Sequence, residues 1–236
     1  MDYTISQDTA FPTVTLHLHK GEQIQIERGA MIAHNGQVTL EGHMNSNGKK
    51  GLGGVLSALG RSVTSGESFF ITTATGTTDN GELLIAPANP GAIRELHTDG
   101  SQQWRLNTSA YLASDEGTGY SMVRQKLGKA VFGGTGGLFV METEGSGTFL
   151  VSGYADIITV NLQGNDEYVV DNSNVVAWSQ SLDYNIEVAS GTFGFKTGEG
   201  LVNHFKGTGQ ILIQTRSIEG LANLLLPYLP DNSSNN

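Results

Sequence analysis

The sequence predicts an all-β protein built from three copies of one unit, and two observations support this prediction. First, strand-like segments recur at fixed offsets: Ile24, Trp104 and Tyr168 match at steps of 80 and 64 residues (104 − 24 and 168 − 104). Second, Gly accounts for 32 of 236 residues and falls between short alternating runs, where tight turns favour positive φ. Short strands joined by Gly-rich turns are typical of a β sandwich or barrel-like body.

The offsets place the three units at about residues 11–78, 79–147 and 148–217 of a single domain. A unit of this size has too few strands to cover its own apolar face, so we expect its neighbours to cover it. Three such units in one chain predict three β lobes around a pseudo-threefold axis.

The first unit begins with a strand over residues 13–19, in which apolar and polar residues alternate strictly. Gly21 turns the chain into a second alternating strand. A third short strand precedes Asn35-Gly36, which is a strong hairpin signal. Residues 45–66 place Leu and Val at helical spacing, but their glycines weaken a helix. This connector therefore predicts a loop with a short amphipathic helix.

The second and third units repeat the order of strands, and their connectors cover residues 121–137 and 193–209. The end of the chain departs from the pattern. Ser217 is a good N-cap for a helix over residues 218–226, and the proline at position 227 disfavours its continuation. The polar tail at 231–236 is predicted to be disordered.

Composition excludes several classes of function. The formal net charge of −10 disfavours binding to nucleic acid, because an acidic body repels phosphate backbones. Cys is absent, which excludes disulfides, thiolate metal sites and thiol nucleophiles. No segment reads as a signal peptide or as a membrane span, so we expect a cytoplasmic protein.

Three motifs carry a family resemblance: GLGGVLSALGRSVTSGESFF at 51–70, GEGLVNHFKGTGQILIQTRS at 198–217 and GLANLLLPYLP at 220–230. Together they resemble the widespread family named in yeast for altered inheritance of mitochondria (its twenty-fourth member). Its bacterial members have been known as a domain of unknown function. The resemblance implies a fold similar to the tryptophan RNA-binding attenuation protein (TRAP), a short double-stranded β-helix, with the unit present three times. It implies a link to mitochondrial organisation in eukaryotes and no catalytic residue.

His17, His19 and Glu22 resemble the metal motif of cupins, in which two His and one Glu bind Fe, Mn or Zn. Only two residues separate His19 from Glu22, where cupins have three or four, and the second cupin motif is absent. The alternation also turns both histidines away from the apolar face of their strand. We therefore predict that no metal or organic cofactor binds here. A second hypothesis uses the repeat offsets: His17, His97 and Asn161 would surround the pseudo-threefold axis.

Basic residues cluster in the first two connectors of this acidic chain, and no acidic residue accompanies them there. Such basic amphipathic segments suit an anionic membrane surface or an acidic protein partner. Packing against the acidic body, or between subunits, is the simpler alternative. The predicted association surface comprises Lys49, Lys50, Leu52, Leu56, Leu59, Arg61, Arg124, Lys126 and Lys129.

The sequence thus predicts a non-enzymatic binding or scaffold protein that forms a homo-oligomer. Phosphate-loop, nucleophile-elbow and zinc-protease motifs are absent from the sequence. Two alternatives stay open. One is a cupin-like metal-dependent enzyme that uses His17, His19 and Glu22. The other is binding to RNA or to an anionic membrane surface, and the acidic charge opposes RNA.

Overall fold

The computed structural model describes residues 1–6, 9–45, 69–125, 139–189 and 200–229. These residues form seventeen β-strands, three single 3-10 turns and one short α-helix, which confirms the predicted nearly all-β class. In the same ranges no helix is long and apolar enough to cross a membrane. The predicted helix in the first connector, the greater part of the other connectors and the tail at 231–236 lie outside the described residues.

The strands of the first half of the chain are β1 (Asp2–Ile5), β2 (Val14–Leu18), β3 (Gln23–Glu27), β4 (Met31–His34), β5 (Val38–Asn45), β6 (Phe69–Gly76), β7 (Gly81–Ile85), β8 (Ile93–Thr98) and β9 (Trp104–Asn107). The remaining elements are β10 (Tyr111–Asp115), β11 (Thr118–Arg124), β12 (Phe139–Gly145), β13 (Gly147–Ser152), β14 (Ile157–Asp171), β15 (Val175–Ser179), β16 (Asp183–Val188), β17 (Leu201–Gln214) and the helix α1 (Ile218–Leu225).

Local sequence accounts for the first strands. Val14, Leu16 and Leu18 on β2 are all buried, while the residues between them are half-buried, as the alternation predicts. The turn at Asn35-Gly36 joins β4 to β5. Gly36 has a φ of 83°, in the left-handed region that Gly adopts without strain.

The strands form three antiparallel sheets. The N-terminal sheet has the order β1-β2-β7-β4. A second sheet has the order β5-β6-β3-β10-β13-β8, and a third has the order β11-β12-β9-β15-β17-β14. The long strands β14 and β17 are paired along most of their length, with a register shift between Gln163 and Glu167. Beyond this shift, residues 167–171 of β14 and residues 202–206 of β17 continue as a pair, and β16 joins the other edge of β17.

Two connectors are shorter than the sequence predicts. Residues 121–124 belong to β11, where Ser121 pairs with Glu142 and Arg124 with Phe139. In the third unit, β17 already begins at Leu201, because its first residues pair on both sides and Phe205 is fully buried. Its glycines at 207 and 209 do not end the strand, and Gly207 has a φ of 108°.

One short pairing recurs in three places with the same local irregularity. Ala33 pairs with Leu84, Ala113 with Leu150 and Ala177 with Leu212, and each strand carries a register shift just before its Ala. A shift at the same position in three strands is a β-bulge that the fold uses repeatedly. The arrangement of the three units about a common axis stays a prediction.

The buried apolar side chains of the described residues form three clusters. The first combines residues of the N-terminal and second sheets, the next combines residues of the second and third sheets, and the last belongs to the third sheet. In the last cluster the Trp178 ring makes edge contacts with Tyr184 and Phe205, at centroid distances of 5.0 and 5.6 Å. Edge-to-face contacts of this kind add about 0.5–1.5 kcal/mol to the burial of the rings. The helix α1 follows a Ser217 N-cap, whose hydroxyl oxygen accepts a hydrogen bond from the Gly220 N–H at 3.1 Å.

Candidate association surface

The three residues of the cupin-like motif lie on β2 and in the turn that follows it, and they do not form a cluster. His17 lies on β2 with its Nδ1 3.9 Å from the Glu82 carboxylate, and His19 Nδ1 lies 4.0 Å from Asp79. The Glu22 carboxylate accepts a hydrogen bond from the backbone N–H of His19 at 3.0 Å, so it closes the β2–β3 turn. Among the described residues no group of three or more His, Asp or Glu is placed to hold a metal ion.

The three residues of the predicted axial ring do occupy matching strand positions. His17 pairs with Glu82, His97 with Thr148 and Asn161 with Gln210. Each side chain contacts a residue nearby on its own sheet: His97 lies 3.1 Å from Glu95, and the Asn161 side chain accepts a hydrogen bond from Gln210 at 2.8 Å. These local contacts account for the polar groups without a shared ligand.

The predicted basic association surface falls almost wholly outside the described residues. Of its members, Arg124 alone lies on a described strand, where its backbone ends β11 opposite Phe139. Lys49, Lys50, Leu52, Leu56, Leu59, Arg61, Lys126 and Lys129 lie in parts of the connectors outside the described residues. The predicted basic surface therefore stays a prediction.

Large apolar side chains are exposed in two other regions of the described chain. At the C-terminus they are Ile218, Leu224, Leu225, Leu226, Tyr228 and Leu229. On strands they include Met31 and Ile32 of β4 and Tyr168 and Val169 of β14. Contiguous exposed apolar surface of this kind typically marks a site of association.

The exposed apolar residues of β4 and β14 lie on strands at the edges of their sheets. β4 is the last strand of the N-terminal sheet and pairs with β7 along one edge. Residues 167–171 of β14 form the last strand of a three-stranded ribbon with residues 202–206 of β17 and with β16; we call this group the C-terminal ribbon. In the part of the chain that the structure describes, no strand pairs with the outer edge of β4 or with that of residues 167–171. Two strand edges with apolar residues thus remain open.

An ion pair and its neighbouring hydrogen bonds connect strands of the third sheet. Arg105 Nε donates to the Glu142 carboxylate at 2.7 Å, and both side chains are about four-fifths buried. Its Nη1 donates to the carbonyl oxygens of Gln180 and Leu182 at 3.1 and 3.3 Å, and its guanidinium lies 5.4 Å from the centre of the Tyr184 ring. Arg105 therefore links β9 and β12 to the turn between β15 and β16.

One carboxyl group has a pKa close to neutrality. Burial raises the pKa of Glu27 to about 7, and a hydrogen bond from the backbone of Ala88 opposes this shift. Glu27 ends β3, where its backbone pairs with Ile71. The group therefore changes charge near physiological pH and makes the stability of this region depend on pH.

A cleft of about 1380 Å³ lies between the N-terminal segment and the C-terminal helix. Its wall carries Arg94, whose Nη2 donates to the Asp156 carboxylate at 3.3 Å and to the Ile157 carbonyl at 3.1 Å. Phe11 and Leu221 line the cleft together with further apolar residues and with polar ones, among them Asn174 and Arg216. The cleft is thus lined by both apolar and polar side chains.

Comparison with known proteins decides the family. The family model described as mitochondrial biogenesis AIM24 matches residues 3–216. The chain belongs to this family. An uncharacterized protein of Streptococcus pyogenes serotype M6 is 44% identical over 235 residues, which cover 99% of this chain and 93% of that protein. A crystal structure of a Streptococcus pyogenes protein has a TM-score of 0.79 and 41% identity, and the match covers 97% of this chain and 99% of that chain.

AIM24 is the same family that the three sequence motifs of this chain resemble. Sequence reasoning missed which strands form the open edges. The residues of β4 have the same apolar character as their buried counterparts on β10 and β15, so no property of the residues themselves marks them as exposed. The signal available in the sequence is the repeat itself, because a linear row of three units leaves one unmatched strand at each end.

Proposed function

We propose that this protein is a non-enzymatic scaffold that assembles with copies of itself. The observation that carries the proposal is the exposure of β4. Its Met31 and Ile32 side chains face solvent, and no described strand pairs with its outer backbone edge. Native proteins shield open strand edges with Lys, Pro or a covering element, since an unshielded edge pairs with other strands. β4, with the sequence MIAH, has neither Lys nor Pro.

We infer further that the protein consists of three TRAP-like lobes and that its basic connectors contact an acidic partner or an anionic surface. The recurring Ala–Leu pairing with its β-bulge supports the lobes. The excess of basic residues over acidic ones in the connectors of an acidic chain supports the contact. Superposition of residues 21–76, 100–145 and 164–217 tests the lobes, and unrelated topologies would contradict them.

Light scattering after size-exclusion chromatography tests self-association directly. Purified protein is measured over a hundredfold range of concentration, at about 0.15 M salt to screen long-range charge effects. We expect a mass of several subunits that falls on dilution. A mass equal to one chain at every concentration would refute the proposal.

A further inference from the structure

We propose that β4 of one copy pairs with residues 167–171 of β14 in a second copy, so that the N-terminal sheet and the C-terminal ribbon form one sheet shared between subunits. This inference rests on the proposed self-association and names the surface that produces it. The inference follows from two strand pairings of the same kind between units of one chain, which we call the internal joins.

The internal joins connect β3 and β9 to the strands β10 and β15 of the units that follow them. β3 pairs with β10, with Ile26 opposite Ala113. β9 pairs with β15, with Leu106 opposite Ala177. Both joins are antiparallel, and the two registers match at the sequence offsets of the repeat.

The two open edges are the missing halves of a third join. β4 corresponds to β10 and β15, because all three strands carry the same bulge and each pairs with a later strand (β7, β13 and β17, respectively) through an Ala–Leu position. Residues 167–171 correspond to β3 and β9, because each forms one edge of a three-stranded group. These groups are β5-β6-β3, β11-β12-β9 and the C-terminal ribbon. One chain therefore presents one edge of each kind and has, among its described strands, no internal partner for either.

Burial at matched positions shows what each edge lacks. Ile32 is 51% exposed, whereas its counterparts Leu112 and Val176 are 0% and 1% exposed. On the other edge, Tyr168 is 39% exposed, whereas its counterparts Ile24 and Trp104 are 0% and 2% exposed. The same positions are covered wherever a neighbouring unit is present.

The internal joins also fix the register of the proposed one. Ala33 lies opposite Val170, and His34 lies opposite Val169, because these residues match the Ala177–Leu106 and Trp178–Arg105 pairs. Each copy contributes β4 to one neighbour and residues 167–171 to another. Such a head-to-tail contact is heterologous, and it produces a ring if it closes and a filament if it does not.

Engineered cysteines test this register cleanly, because the chain contains no Cys of its own. The backbone N–H of Gln180 donates to the Gln103 carbonyl at 2.8 Å, so alternation makes Trp178 and Arg105 a hydrogen-bonded pair. His34 and Val169 match that pair, and their Cα atoms should lie about 5.5 Å apart, within the range of a disulfide.

The test uses two single variants, His34→Cys and Val169→Cys, produced together in one cell and exposed to mild oxidation. We expect a disulfide-linked dimer that contains one chain of each variant, identified by mass spectrometry of the linked peptide. The matched control replaces His34→Cys by Ile32→Cys, which displaces the thiol by two residues. This control should give several-fold less linked dimer.

Light scattering on the same samples separates the two proposals. An intact oligomer with no more His34–Val169 link than the control overturns the strand pairing and leaves the scaffold function standing. A single-chain mass overturns both. A link within one chain of the double variant, with none in the mixture of single variants, shows that the two edges close on each other and also overturns the pairing.

A charge substitution tests the same surface without cross-linking. Ile32→Lys places a charge in the proposed join, whereas Ile158→Lys changes an Ile of the same 51% exposure on the distant half of β14. We expect Ile32→Lys to weaken association at least about tenfold and Ile158→Lys to leave it unchanged. Both variants should keep the unfolding midpoint of their isolated subunits. Equal effects of the two substitutions would overturn the proposed surface.

Discussion

Replacing Arg105 tests whether the joins between units hold the chain together. Arg105→Met keeps an unbranched apolar stem but removes the guanidinium group with its charge and donors. Three acceptors then lose their partner: the Glu142 carboxylate, at 2.7 Å from Arg105, and the carbonyl oxygens of Gln180 and Leu182. The carboxylate is left about four-fifths buried without its cation.

The expected loss of stability follows from these contacts. Removing one partner of a buried ion pair costs about 3–5 kcal/mol, chiefly because the other charge stays buried. Both side chains keep about a fifth of their surface exposed, so water recovers part of this cost. We therefore expect Arg105→Met to lower the free energy of unfolding by about 2–4 kcal/mol. Arg105→Met combined with Glu142→Leu should recover part of the loss, since no buried charge then remains.

Urea unfolding followed by tryptophan fluorescence measures the difference, with all proteins at one subunit concentration because assembly shifts apparent stability. The control is Lys206→Met, which breaks an ion pair with Glu167 in which both side chains are largely exposed. Its effect should be much smaller. A loss below about 1 kcal/mol for Arg105→Met would show that the join is not held by this network.

Two further predictions follow from single residues. Since burial raises the pKa of Glu27 to about 7, the contribution of this group to stability is most favourable below its ordinary pKa of 4.5 and is lost as pH rises from 4.5 to 7. Glu27→Gln should therefore be more stable than the wild type by on the order of 1–2 kcal/mol at pH 8 and equal to it at pH 4, by urea unfolding; equal stability at both pH values would contradict this. Gly91→Ala places a Cβ 2.1 Å from the Gly153 carbonyl oxygen and should cost about 1–3 kcal/mol, whereas Gly42→Ala meets no described atom within 4 Å. Equal unfolding midpoints for these two variants would contradict the packing at Gly91.

Much of the fold could be predicted because its signals are local. Alternation along β2 and the Asn35-Gly36 turn depend on neighbouring residues, and both are present in the structure. The continuous course of β17 could not be predicted in this way. Its glycines at 207 and 209 read as turn residues, but β14 pairs with residues on both sides of Gly207, and β16 and β15 pair with the two ends of β17, which keeps the chain extended.

The candidate site was harder to predict because it is defined by a missing neighbour. Ile32 and Leu112 are similar residues at equivalent positions, and their burial differs because another unit covers one of them. A property of this kind depends on which strands meet, and strand pairing is a long-range feature. His17, His19 and Glu22 show the limit of a short motif in another way, since they resemble a cupin site while each makes a local contact in the structure. The absence of a metal at these residues stays a prediction.

Hydrogen–deuterium exchange of the assembled protein measures the proposed join most directly. The backbone amides of residues 31–34 and 167–171 are compared with those of the internal joins at 111–115 and 175–179, above and below the concentration at which the oligomer dissociates. Shared strand pairing predicts that the amides on the two outer edges exchange slowly in the oligomer and rapidly after dilution. Rapid exchange of those amides in the intact oligomer would contradict the account.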